Sequence, residues 1–205
     1  MIPATASRPL RRETPFEQVA ARLPHWMRPH LPRKWVQLGR VLLLRLPLKL
    51  EAEAQAVAAA YATLPGVEAV MRRPRIGGEL RQPRLPQLML GSSAETEVRE
   101  HGLRYRLDFQ RGQNLGFFAD MAPGRAWLRE RAEGKRVLNL FAYTCGFSVA
   151  AIAGGAEHVV NLDMASAALT RGRENHRLNG HDLSRVSFLG HELFKSWGKV
   201  RKLGS

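Results

Sequence analysis

Apolar residues between positions 136 and 190 follow two alternating patterns. The runs Val137–Phe141, His158–Leu162 and Val186–Leu189 are short and almost continuously apolar, as strands covered on both faces are. Phe147–Ala153 and Ser166–Asn179 lie between them and carry apolar residues at helical spacing. Strands alternating with helices predict an α/β fold with a parallel, Rossmann-like sheet. Only three of its strands are visible, so we expect the sheet to be incomplete in this chain.

The first half of the chain has a different pattern, which predicts a smaller α+β unit. Its expected elements are a strand over Trp35–Leu50 with a turn at Gly39, a helix over Glu51–Leu64, a strand over Val67–Met71 and a hairpin over Thr96–Asp108 that turns at Gly102. Residues 1–30 are rich in Pro and Arg and predict a loose basic arm with one short helix at Phe16–Leu23. The predicted division is an arm at 1–30, an α+β domain at 31–108 and the sheet domain at 109–205.

Polar residues follow the first two strands of the sheet where each strand ends. Asn139–Ser148 reads as a strand, a turn containing Gly146 and the start of a helix, and Asp163 ends the second strand. A carboxylate at this edge can accept hydrogen bonds from both ribose hydroxyls of a nucleoside. The turn lacks the G-x-G-x-x-G pattern that holds a pyrophosphate, which favours S-adenosylmethionine. An ordinary strand-turn-helix, with Asp163 capping the next helix, is the alternative.

Two further segments supply candidate cofactor contacts. Gly112–Asp120 contains two glycines and paired aromatics, so Phe117 could wall the cofactor and Asp120 could bind its amino group, unless the segment is only an apolar linker. Glu192 follows the third strand, where an acid can reach the adenine amino group or simply favour a helix N-terminus. Glu174–Asn179 is interpreted as a solvated helix surface that ends at an Asn-Gly cap, with a polar face above the cofactor site as the alternative.

Cysteine and histidine usage limits the possible chemistry. Cys145 is the only cysteine, so no disulfide framework is possible, and its place in the cofactor turn argues against a nucleophilic role. The seven histidines show no metal-ligand spacing with it. No segment predicts a membrane span or a signal peptide, so we expect a cytoplasmic protein.

The charge balance points to a polyanion. The formal net charge is +14. Residues 1–108 carry 18 Lys and Arg against 10 Asp and Glu, and residues 109–205 carry 14 against 8, so the excess is spread over the chain. RNA is the polyanion that we expect, although an Arg-rich proteome is an alternative cause. Candidate phosphate contacts lie in a Pro- and Gly-rich segment: Arg72, Arg73, Arg75, Arg81 and Arg84.

These motifs together resemble a known family. The stretches GQNLGFFADM, VLNLFAYTCGFSVAA, DMASAAL and ENHRLNG, within residues 97–194, are similar to bacterial class I S-adenosylmethionine-dependent methyltransferases that modify cytosine C5 or guanine N7 of large-subunit ribosomal RNA. The family usually has Gly at position 145. In the N-terminal half, the stretches PRKWVQLGRVLLLRLP, GVEAV, RQPR and EHGLRY resemble the middle domain of archaeal and eukaryotic tRNA guanine-N1 methyltransferases and wybutosine-pathway enzymes.

The resemblance implies cofactor-binding roles and one missing part. Asp163 would hold the ribose, Phe117 and Asp120 would close the site, and Glu192 would meet the adenine. The methionine portion would be lined by Asn139, Tyr143, Thr144 and Gly146. The family's Asp/Asn-Pro-Pro-aromatic catalytic motif does not occur in this sequence, so no catalytic residue is assigned and we expect the chain alone to be inactive. The alternatives are a noncatalytic RNA-binding protein or a methyltransferase for a small molecule or a protein.

Overall fold

A four-stranded sheet forms the N-terminal part of the chain. The computed structural model describes residues 13–73, 85–110 and 116–193. The strands, which are adjacent in chain order, are β1 (Trp35–Leu38), β2 (Val41–Leu44), β3 (Ala69–Arg72) and β4 (Gln87–Leu90). β1 and β2 form a hairpin around Gly39, whose φ of +55° suits glycine, and β2 pairs in parallel with β3 after a crossover through helix α2 (Ala54–Tyr61). The turn predicted at Gly39 is thus present and separates β1 from β2, and β2 ends at Leu44, before the predicted end of the strand.

The segment before this sheet is folded onto it. Helix α1 (Pro15–Ala21) and a 3₁₀ turn (His25–His30) place Val19 and Met27 in the core beneath the sheet and α2, where each is at most 1% exposed. The short helix predicted at Phe16–Leu23 is present as α1, whereas the loose arm predicted around it is wrong for residues 24–30, since buried apolar residues anchor them. Residues 1–12 lie outside the described part.

The predicted hairpin is present as β5 (Glu95–Glu100) and β6 (Leu103–Asp108). Its inner face joins a second core that also contains the other face of the N-terminal sheet and part of the following helical layer. Leu43, Met71, Leu107 and Val149 meet in this core. The predicted boundary at residue 108 therefore crosses a shared core rather than a linker.

The predicted parallel sheet is also present, in the order β7 (Arg136–Leu140), β8 (His158–Asp163) and β9 (Val186–Gly190). The associated helices are α3 (Ala122–Arg131), α4 (Gly146–Ala153) and α5 (Ser166–Leu178). α3 carries Pro123 in its first turn, where proline is tolerated because the N–H it lacks would have no partner within the helix. No helix in the described ranges is long and apolar enough to cross a membrane.

Candidate cofactor site

The loop after β7 has a strained backbone. Phe141, Tyr143 and Cys145 adopt φ values of +53°, +48° and +60°, and none of them is glycine. Each such residue costs about 1–2 kcal/mol relative to a right-handed conformation. The Ala142 N–H bonds to Leu162 O at 3.0 Å and the Cys145 N–H bonds to Ala142 O at 2.7 Å, which holds the loop in place. Strain of this kind concentrates at functional sites.

Asp163 ties this loop to the end of β8. One carboxylate oxygen accepts the Tyr143 N–H at 2.7 Å, and the other accepts the Ala165 N–H at 2.8 Å. The second bond is a local turn contact before α5 and not the helix cap that was the alternative interpretation, because the N-cap residue is Ala165 and no side chain caps this helix. A carboxylate has about four acceptor positions, so two remain for a ligand. The structure therefore combines the structural role with room for the predicted ribose contact.

Tyr143 and Thr144 both contact the preceding segment. The Tyr143 hydroxyl accepts the Gly116 N–H at 2.9 Å, and the Thr144 hydroxyl donates to Gly116 O at 2.7 Å. The Phe118 ring lies 5.6 Å from the Tyr143 ring, measured between centroids. These contacts thus hold the segment around Gly116 and Phe118 against the loop after β7, a role that the sequence pattern did not predict.

A cavity of about 570 Å³ lies between α3, β7 and this loop. The cavity also extends along the open edge of β7, where Val137 and Leu138 line it, so only the part beside the loop is a candidate cofactor site. Five of the predicted cofactor residues line it: Phe117, Asn139, Tyr143, Thr144 and Gly146. A Cβ on Gly146 would meet protein only at Arg125, at an ordinary 3.7 Å, so protein packing does not demand glycine there and the space suits a ligand.

Asp120, Asp163 and Glu192 lie outside that cavity. Asp120 is exposed in a short 3₁₀ turn at Ala119–Met121. Asp163 pairs with Gly190 across β8 and β9, which places Glu192, two residues further on, at the same carboxyl edge. The two carboxylates at the strand ends are thus neighbours in the topology.

Arg125 was not singled out from the sequence, although it lines the cavity. The residue is 3% exposed, and its guanidinium forms two 2.7 Å hydrogen bonds to Glu100 and lies 4.3 Å from the Phe117 ring centroid. Removing one partner of such a buried pair costs about 3–5 kcal/mol. Because Glu100 lies 25 residues earlier, only the tertiary fold reveals the pair that holds Phe117.

A buried polar chain leads away from Asn139. Its amide donates to Asn161 at 2.8 Å, the Asn161 amide donates to Ser148 at 2.9 Å, and Ser148 bonds to His176 Nε2 at 2.9 Å. Nδ1 of His176 lies 3.0 Å from Nδ1 of His181. Burial lowers the pKa of His176 to about 3, so this ring is neutral. This series of hydrogen bonds fixes the Asn139 side chain in the cavity wall.

The prediction of a solvated surface at Glu174–Asn179 is wrong for Asn175 and His176, which are both 0% exposed. Asn175 accepts the Arg106 N–H at 2.9 Å and donates to Thr144 O at 3.2 Å. Asn179, the observed C-cap residue, accepts the Arg104 N–H at 2.9 Å and donates to Arg104 O at 2.7 Å. These two amides complete the open edge of β6 and join the hairpin to the strained loop.

Cys145 is 0% exposed, and burial raises the pKa of its thiol to about 12. The thiolate needed by a nucleophile is therefore absent near neutral pH. The side chain packs against Gly172, where an added Cβ would lie 2.3 Å from the sulfur. Cys145 thus fills space between α4 and α5.

The predicted phosphate contacts fall mostly outside the described residues. Arg75, Arg81 and Arg84 lie in the undescribed segment 74–84. Arg72 pairs with Glu51, and Arg73 is half-buried after β3. Among the described residues, no group of three or more His, Cys, Asp or Glu is arranged to hold a metal ion.

Comparison with known proteins identifies the family. The profile of the S-adenosylmethionine-dependent methyltransferase family matches residues 33–205, and the chain belongs to this family. Its mixed α/β fold agrees with that assignment.

Curated relatives include Ribosomal RNA large subunit methyltransferase I of Aeromonas hydrophila, which is 42% identical over 103 residues, covering 50% of this chain and 26% of the relative. The corresponding protein of Escherichia coli O139:H28 is 39% identical over 107 residues, covering 52% of this chain and 27% of the relative. The chain thus spans about a quarter of these relatives' length.

Solved structures show the same fold. Trm5b from Pyrococcus abyssi is 28% identical with a TM-score of 0.70, and the match covers 88% of this chain and 54% of that one. TYW2 from P. horikoshii, solved in complex with MeSAdo, is 27% identical with a TM-score of 0.67, covering 87% and 62%.

Proposed function

We propose that this chain supplies the S-adenosylmethionine-binding part of an enzyme that methylates an RNA base. The observation that carries the proposal is Asp163, which joins a strained loop to the carboxyl edge of a parallel sheet and retains free acceptor positions. Family membership supports the cofactor.

The residue roles follow from their places around this edge. Asp163 accepts the ribose hydroxyls, and Glu192 accepts the adenine amino group. Asn139, Tyr143, Thr144 and Gly146 line the methionine portion, while Phe117 and Asp120 cover it. The bound cofactor supplies an electrophilic methyl group. The chain orients it by holding Asn139 through Asn161 and Phe117 through Arg125.

RNA is the substrate class that the charge and the relatives support. A net charge of +14 attracts phosphates, and the curated relatives are named as ribosomal RNA methyltransferases. We propose cytosine C5 or guanine N7 of large-subunit ribosomal RNA as the target, and the cytoplasm as the place of action. The buried Cys145 does not act as a base-attacking nucleophile, so for a cytosine target that group would come from another part of the enzyme.

We also propose that further strands pair with β7. In the described part of the chain, β7 has β8 as its single strand neighbour, and Leu138 on it is 45% exposed. A parallel sheet is normally covered and paired on both sides. The match covers only about a quarter of each curated relative, so the rest of such an enzyme could supply these strands.

Calorimetric titration of the chain with S-adenosylmethionine tests the cofactor role. Asp163→Ala should weaken binding about 100-fold, because it removes two charge-assisted hydrogen bonds of about 1.5 kcal/mol each. Asp182→Ala is the matched control, since Asp182 also accepts a backbone N–H but lies at the start of the Leu183–Arg185 turn. Equal affinities for the two folded variants would refute the assignment of Asp163.

A further inference from the structure

We infer that an RNA-contacting surface lies at residues 22–34, outside the arginine-rich segment singled out from the sequence. We call it the basic platform and define it by its exposed members: Arg22, His25, Trp26, Arg28, Arg33 and Lys34. The inference rests on the proposed RNA substrate and assigns where single-stranded RNA meets this chain.

The basic platform lies in an acid-free part of the sequence. Between Glu17 and Glu51 there is no Asp or Glu, while seven Lys and Arg and two His occur. Within the described residues, no carboxylate forms an ion pair with Arg22, Arg28 or Lys34. These cations are therefore available to phosphates, unlike Arg72 and Arg125, which acids already engage.

The platform is held rigidly from below. Leu23, Met27 and Leu31 recur every four residues and are 6%, 1% and 4% exposed in the first core. The Tyr61 hydroxyl donates to Pro32 O at the end of the segment. Since the apolar side chains point inward at this spacing, the charged residues between them face solvent. A prearranged surface loses less conformational entropy when it binds a ligand.

Trp26 distinguishes RNA from a generic anion. It is 53% exposed although the same turn buries Met27, so its ring is held at the surface among cations. Unpaired bases stack on such rings, and the adjacent Arg and Lys contact the backbone. The Lys49 side chain, exposed on a neighbouring 3₁₀ turn (Leu48–Leu50), extends the positive surface. The combination fits a single-stranded segment or loop better than a regular duplex.

Anisotropy with a labelled single-stranded oligoribonucleotide, measured from 50 to 300 mM salt, tests the inference. The variant Arg22→Gln/Arg28→Gln/Lys34→Gln should weaken binding at least about tenfold at low salt. Its salt slope should fall by about 2, since each lost phosphate contact on a single strand removes about 0.7. The control Arg99→Gln/Lys135→Gln/Arg177→Gln removes the same charge from exposed positions elsewhere and should retain nearly the full slope.

Trp26→Ala should weaken binding about fivefold or more, and RNA should quench a part of the tryptophan emission that Trp26→Phe lacks. Equal losses in the two triple variants, or unchanged emission, would overturn the inference. Preference for anionic lipid vesicles over the oligoribonucleotide would overturn it as well. None of these changes touches the cofactor site, so titration with S-adenosylmethionine reports separately on the proposed function.

Discussion

The outer edges of β6 and β7 are finished in opposite ways. On β6, the Arg104 and Arg106 N–H groups bond to the amide side chains of Asn179 and Asn175 from α5. On β7, the edge opposite β8 has no strand beside it in the described ranges, and it presents Leu138 together with Phe141, which is 73% exposed. A sheet edge can thus be closed by side chains of the same domain or left apolar for another strand.

The largest effect should come from breaking the closed edge. Asn175→Leu leaves the Arg106 N–H and Thr144 O without partners in a buried place, and each costs about 1–3 kcal/mol. We expect a loss of about 3 kcal/mol in the free energy of unfolding, measured with urea. Asn179→Leu is the matched control and should cost about 1 kcal/mol, because water reaches that half-exposed position. Similar losses in the free energy of unfolding for the two variants would mean that burial does not set the cost of removing each amide.

Acid should lower the free energy of unfolding, because His176 is buried on α5, the helix that closes the edge of β6. The pKa of His176 is lowered to about 3, so the unfolded chain binds a proton below about pH 6.5 that the folded chain excludes. Stability is therefore lost as pH falls below 6.5, by about 2 kcal/mol at pH 5. Burial also lowers the pKa of His181, which acts in the same direction. The measurement is the urea midpoint of wild type and of His176→Asn from pH 7.5 to 5. Wild type should have the higher midpoint at neutral pH, and the two midpoints should converge in acid. A constant difference between them would contradict the lowered pKa of His176.

The contact between α4 and α5 offers a smaller effect. Gly172→Ala places a methyl group against the Cys145 sulfur and should cost about 1–3 kcal/mol. Cys145→Gly relieves a left-handed residue but removes a buried side chain, so the two effects offset. The double variant should regain most of the loss of Gly172→Ala, since the new methyl group occupies the vacated space. Additive losses in a double-mutant cycle would show that the two positions are not coupled.

The smallest effect on stability should come from the open edge. Leu138→Lys adds charge to an exposed position and should change the free energy of unfolding by no more than about 0.5 kcal/mol. It should nevertheless reduce self-association of the chain, because lysine blocks edge-to-edge pairing. Light scattering measures this, with Val36→Lys on the β1 edge as the matched control. Equal scattering from wild type and Leu138→Lys would show that β7 is not the associating edge.

Local patterns in the sequence determined the element types. Apolar runs fixed β7 to β9, helical spacing fixed α4 and α5, and Gly102 fixed the hairpin turn, because these signals act over a few residues. They also placed Asp163 at the end of its strand, since an α/β pattern decides which end of each strand shares an edge. The family assignment and the cofactor agree with that interpretation.

Tertiary structure alone decided which polar groups meet. Asn175 looked like a surface residue because a helical sequence does not show what lies against each face, and its partner Arg106 is 69 residues away. The Arg125–Glu100 pair, the buried position of Met27 and the contact of Cys145 with Gly172 arise in the same way. Hydrogen bonds and close packing depend on groups that are distant in the chain, so the sequence determined the elements and the folded core determined their partners.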